Sequence, residues 1–112
     1  PTIGTPNGAN NVASVAFLSN SAKTDRAMRI RVTAGAAAIS AATDVVTITF
    51  ASEWKDTNGT PVVPAIVGSQ GLSASASSST GFTIQLGTGI PASQFVDFSI
   101  LVSGGGSGYS NS

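Results

Sequence analysis

The chain has no cysteine and no histidine, and only 9% of its 112 residues are charged. Each shortage removes a class of chemistry. Without cysteine there is no disulfide to staple the fold and no thiolate nucleophile. Without histidine as well, Ser-His-Asp and Cys-His triads are excluded, as is a zinc site built from the usual nitrogen and sulfur ligands. An average soluble domain carries roughly 25% charged residues, so this surface is built mainly from neutral polar and small groups. Five basic and five acidic residues cancel, which leaves no electrostatic footprint for nucleic acid or an anionic membrane. So little charge protects a free monomer poorly against association, and it favours a domain locked into an assembly. No apolar run approaches the roughly 20 residues of a membrane span, so no membrane insertion is expected. The start, Pro1-Thr-Ile-Gly, has neither the basic nor the apolar region of a signal peptide. A proline start fits removal of an initiator methionine or excision from a longer chain.

What is present is a period of two. In residues 44–50 Val46, Ile48 and Phe50 alternate with Thr47 and Thr49. In residues 80–86 Phe82, Ile84 and Leu86 alternate with Thr83 and Gln85. Such alternation marks strands with one buried and one wet face. The same pattern puts Met28, Ile30 and Val32 inward and Arg29, Arg31 and Thr33 outward in a strand over residues 26–34. It also places Val96, Phe98, Ile100 and Val102 on one face of a strand over 94–103. Further strands are expected at 13–19, 44–52, 62–67 and 81–87. Pro61 and Pro64 demote the 62–67 strand to an edge or corner, because proline cannot donate to a ladder. The Ser/Ala-rich stretch 68–79 reads either as an extended strand of small residues or as a mobile loop. Residues 35–42 read either as a short alanine-driven helix or as a strand or turn continuation. Turns are expected at 20–25, at 88–91 and in the polar stretch 53–61, where Asn58-Gly59 is the strongest turn signal.

About six to eight short strands separated by Gly, Pro and Asn turns indicate an all-β fold, an antiparallel β-sandwich of jelly-roll-like form. Length allows one domain with one core. Residues 1–12 form a turn-rich opening segment, 13–103 the sandwich, and 104–112 a flexible Gly/Ser tail.

Carboxylate chemistry is what composition leaves open, and Glu53 and Asp56 flank Trp54 in a way that could hold a sugar. The simpler reading is a solvated polar loop, and no catalytic residue and no enzyme activity are expected. Gly87-Thr-Gly-Ile-Pro-Ala92 matches a dinucleotide fingerprint in form only, because Pro91 and the missing strand-to-helix context oppose it. Asn58-Gly-Thr60 fits a glycosylation acceptor, which matters only in a secretory pathway. No loop has the dense acidic spacing of a calcium site, and no metal or cofactor is expected. Two surface candidates remain. Trp54, Asp56 and Asn58 form a possible recognition loop, since a loop tryptophan offers large contact area at little entropic cost. A tryptophan tucked over the sandwich rim is the equal alternative. Arg29 and Arg31, with Arg26 nearby, are a possible anion contact, or else an edge-guarding charged face with Asp25 or Asp44 as partner.

The order of motifs carries a resemblance. Thr24-Asp-Arg-Ala-Met-Arg-Ile-Arg-Val-Thr-Ala-Gly35 is followed by Asp44-Val-Val-Thr-Ile-Thr-Phe-Ala51 and Thr60-Pro-Val-Val63. Ser79-Thr-Gly-Phe-Thr-Ile84 and Phe98-Ser-Ile-Leu-Val-Ser-Gly104 complete it. This series, over residues 24–104, resembles the small β-sandwich domains at the ends of bacteriophage tail fibres and other virion appendages. The resemblance implies a virion structural module, often trimeric, that caps an appendage or contacts the host surface, with other virion proteins as partners. It assigns no functional residue, because the shared motifs are core strands. A capsid decoration or head-fibre protein and a carbohydrate-binding module that takes a host-surface glycan are the alternatives.

Overall fold

The computed structural model describes residues 1–19 and 23–104, together with the backbone of 109–111. Its strands are β1 Thr2–Ile3, β2 Val12–Phe17, β3 Ala27–Ala34, β4 Asp44–Thr49, β5 Trp54–Asp56, β6 Ala65–Gly68, β7 Leu72–Ser77, β8 Gly81–Leu86, β9 Phe95–Ser103 and β10 Tyr109–Asn111. They form two four-stranded antiparallel sheets, ordered β1-β4-β8-β7 and β2-β3-β9-β6, and a small β5–β10 ribbon. The two large sheets pack on one another as a β-sandwich, so the all-β reading holds.

Alternation explains which side chains lie between the sheets. Ile48 of β4 and Ile84 of β8 are fully buried from one sheet, and Ile30 and Val32 of β3 from the other. Met28, Phe82, Leu86, Phe98 and Ile100 complete this layer. At the start of β4 the register shifts between Asp44 and Val46, and Val45 and Val46 are both buried. A bulge of this kind re-aims one residue without reversing the rest of the strand. Gly81 opens β8 where a Cβ would lie 2.5 Å from the Ile48 carbonyl oxygen. The glycine of the Thr-Gly-Phe motif is therefore required for β8 to close against β4.

Several segments differ from the simplest sequence expectation. Residues 35–42 form no helix. Ile39 bridges Ile90 through paired backbone hydrogen bonds of 2.9 and 3.1 Å and is 1% exposed. A run this short gains too little from alanine propensity to nucleate a helix, whereas burying Ile39 is favourable. Residues 68–79 hold the bulged edge strand β7, which is entered by a turn with Gln70 and Gly71 both at positive φ. The strand expected at 62–67 runs instead over Ala65–Gly68 as β6, at the edge of the other sheet, and Pro61 and Pro64 lie outside it. The opening segment is more than turns, because Thr2–Ile3 adds a strand beside β4. The tail is more than linker, because Tyr109–Asn111 pairs with β5. Residues 20–22 of the expected turn, and 105–108 and 112 of the expected tail, lie outside the described residues.

Asp25 ties the layers together at one end. It sits just before β3, is 6% exposed, and accepts the backbone N–H groups of Ala51 at 2.8 Å and Ser52 at 2.9 Å, just beyond β4. The Pro1 ammonium lies 3.4 Å away. Burial by itself raises the carboxyl's pKa, but the two N–H donors and the ammonium outweigh it, so it lies below the ordinary 3.8. A carboxylate with a lowered folded-state pKa contributes stability above its unfolded value, and that contribution is lost as pH falls through the folded one. In urea titrations at neutral pH, Asp25→Asn is expected to be about 1–3 kcal/mol less stable than wild type. The gap should shrink steadily below pH 3.8; a gap that stays constant into strong acid would contradict this account.

Candidate functional site

Pairing and alternation give the two sheets outer faces of different character. On the β4–β8 face, Thr47 and Thr83 stand directly opposite each other, with their hydroxyls 2.8 Å apart. Asp44 accepts the Ser75 hydroxyl at 2.8 Å and the Gln85 amide at 3.0 Å, which spends much of its hydrogen-bonding capacity inside the face. Two shallow grooves flank the threonine pair. One, of about 230 Å³, is lined by Thr49, Ser77, Ser78 and Thr80 among others. The other, of about 300 Å³, is lined by Thr5, Asn7, Asp44 and Val46 among others. Both share Thr47 and Thr83. Such a surface can exchange hydrogen bonds with a neutral polar ligand, and it offers no basic group.

The β3–β9 face is built differently. Arg31 of β3 stands opposite Asp97 of β9. Its Nε donates to Asp97 Oδ1 at 2.8 Å and its Nη2 to Oδ2 at 3.1 Å, a two-pronged pair. The same guanidinium lies 3.9 Å from the centroid of the Phe95 ring, in cation–π contact. The Asp97 hydrogen bond raises the Arg31 pKa. The Arg31 hydrogen bond lowers that of Asp97 against weak desolvation, and the Arg31 and Arg29 charges add to the effect. Both groups stay ionised at neutral pH. Phe95, Leu101 and Val67 are all more than half exposed on this side. A third groove, of about 410 Å³, is lined by Gln70, Ile90, Val96 and Phe98; the two β9 residues point inward, so it does not lie on this outer face.

The expected recognition loop does not assemble as a stacking site. Trp54 is not in a loop; it belongs to β5 and is fully buried. Its ring meets Phe50 edge-on, with centroids 6.2 Å apart at 69°, and the Arg26 guanidinium lies 5.0 Å from its centroid. The rim-covering alternative describes it better than the binding one. Asp56 shapes its loop, where Oδ1 accepts the N–H groups of Asn58 at 2.8 Å and Thr60 at 2.9 Å. Asn58 is exposed at the tip, beside Gly59 at φ +80°. Glu53 accepts the Ser79 hydroxyl at 2.8 Å. Arg29 and Arg31 do share one exposed face. The partner of Arg31, however, is Asp97 rather than Asp25 or Asp44. Asp97 and Phe95 were legible only as outward positions of a strand; that they meet Arg31 depends on a register that no local pattern encodes.

Among the described residues, no group of three or more His, Cys, Asp or Glu could hold a metal, and no helix is long and apolar enough to cross a membrane. No family model, curated protein or solved structure matches this chain. Its chemistry is therefore read from the two outer faces: hydrogen bonding on one, apolar and ion-paired packing on the other.

Trp54 is the only tryptophan, so fluorescence reports its burial directly. Emission is expected to be blue-shifted and shielded from iodide, and to move to the red only on unfolding. Trp54→Ala should cost about 3–5 kcal/mol of stability. Strong quenching of the folded protein by iodide would contradict the placement.

Proposed function

We propose that this chain is a non-enzymatic structural domain of a bacteriophage virion, part of a tail fibre or similar appendage that takes part in host attachment. The observation that supports it best is the make-up of the two outer faces. They carry hydroxyls, small residues and exposed apolar groups; their charges are Arg29, Arg31, Asp44 and Asp97, and no lysine or glutamate lies in the eight strands of the two sheets. Surfaces of this kind suit packing against neighbouring subunits, where burying an unpaired charge would be costly. The order of strand motifs supports the same reading. The domain works as a closed homo-oligomer, a trimer foremost, beside other virion proteins. A neutral host-surface glycan fits the threonine-lined grooves better than the loop at 54–58, where Trp54 is enclosed.

Two measurements test this reading. Size-exclusion chromatography with light scattering should give a trimer or another closed oligomer, and a clean monomer would count against it. Gold labelling of an epitope placed after residue 112 should decorate the tail appendages of intact particles. Label on the capsid shell would instead make the domain a head decoration, and unlabelled particles would remove the virion role.

A further inference from the structure

We infer that the outer face of the β3–β9 sheet is the surface through which copies of this chain pack on one another. The inference rests on the homo-oligomeric reading above and adds which face carries the contact. Leu101 of β9 lies between Ala27 of β3 and Val67 of β6 in register. Leu101 is 60% exposed and Val67 61%. The result is an apolar ridge across three strands. Further along β9, Phe95 is 53% exposed beneath the Arg31 guanidinium. Three of the four large exposed hydrophobic residues among those described therefore fall on this sheet, and none on the β4–β8 sheet.

Composition and order favour an interface. β2, β3, β6 and β9 contain no lysine and no glutamate; these residues are depleted at interface cores, where aromatics and arginine are enriched. Arg31 is already held by the Asp97 fork and the Phe95 ring, so little side-chain freedom remains to be lost on association. The four strands hold six, eight, four and nine residues, which at about 3.3 Å per residue and 4.8 Å between strands make a face of about 430 Å² before side-chain relief. That is about half of the roughly 800 Å² each partner contributes to a standard interface, and side-chain relief and the flanking loops add to it.

The occupant is a second copy of this chain. Arg31 and Asp97 place a cation and an anion side by side, so around a closed ring the Arg31 side of each copy can meet the Asp97 side of the next. The apolar ridges of the copies would meet, which favours a copy of this chain over a charged partner. Arg29, outward on the same face beside Asp97, belongs at the hydrated rim of such a contact.

The test uses the full chain and the double variant Leu101→Glu/Val67→Glu, with Thr49→Glu on the opposite sheet as the control. Light scattering should show an oligomer for wild type and for the control. The double variant should drop to a monomer with its β-sheet circular dichroism retained. An oligomeric double variant would overturn the assignment of this face while leaving the homo-oligomer reading intact. A monomeric wild type would overturn both. Should the double variant unfold, thiol labelling decides, because the chain has no cysteine of its own. Maleimide should react several-fold more slowly with Ser99→Cys than with Thr49→Cys, and equal rates would overturn the assignment.

Discussion

The apolar layer between the two sheets is the constraint on which everything else depends. Nothing covalent helps, because there is no cysteine, and no metal-binding cluster occurs among the described residues. Cohesion therefore falls on side chains such as Ile30, Val32, Ile48 and Ile84, all fully buried between the layers. A slip of one residue in either central strand pair would turn these groups to solvent and bring threonine or arginine inside, which is why the register is so strongly specified. The bulges in β2, β4 and β7 are local departures that keep this arrangement while the edges bend. Asp25 closes one end of the layer by joining the chain before β3 to the chain after β4.

The outer faces follow from the inner ones. Once Val46 and Ile48 point inward, Thr47 and Thr49 must point outward; once Ile30 and Val32 do, so must Arg29 and Arg31. One sheet thus presents hydroxyls in shallow grooves, the other an ion pair set among exposed apolar groups. A domain with two faces so unlike each other can separate two tasks, packing on one side and contact with a neutral polar ligand on the other.

Buried tryptophan changes where recognition should be sought. In the sequence Trp54 stands among Glu53, Lys55, Asp56 and Asn58, neighbours that belong to exposed chain. The structure lays it beneath Arg26 and against Phe50, so a polar neighbourhood in sequence coexists with an apolar one in space. Asp56 also shapes its own loop, through two backbone N–H groups accepted by one carboxylate oxygen.

Local sequence established that the protein is all-β and which residues of the strands at 26–34, 44–50, 80–86 and 94–103 point inward. These properties depend on the two-residue period, which is local. Tertiary packing pins 35–42 by Ile39 to Ile90, brings Thr2–Ile3 into a sheet and encloses Trp54. It also decided that Arg31 finds Asp97 and Phe95, 66 and 64 residues further along the chain. Such contacts depend on which strands become neighbours and in what register. That choice is made by the fit of the whole core, and no short window of sequence contains it.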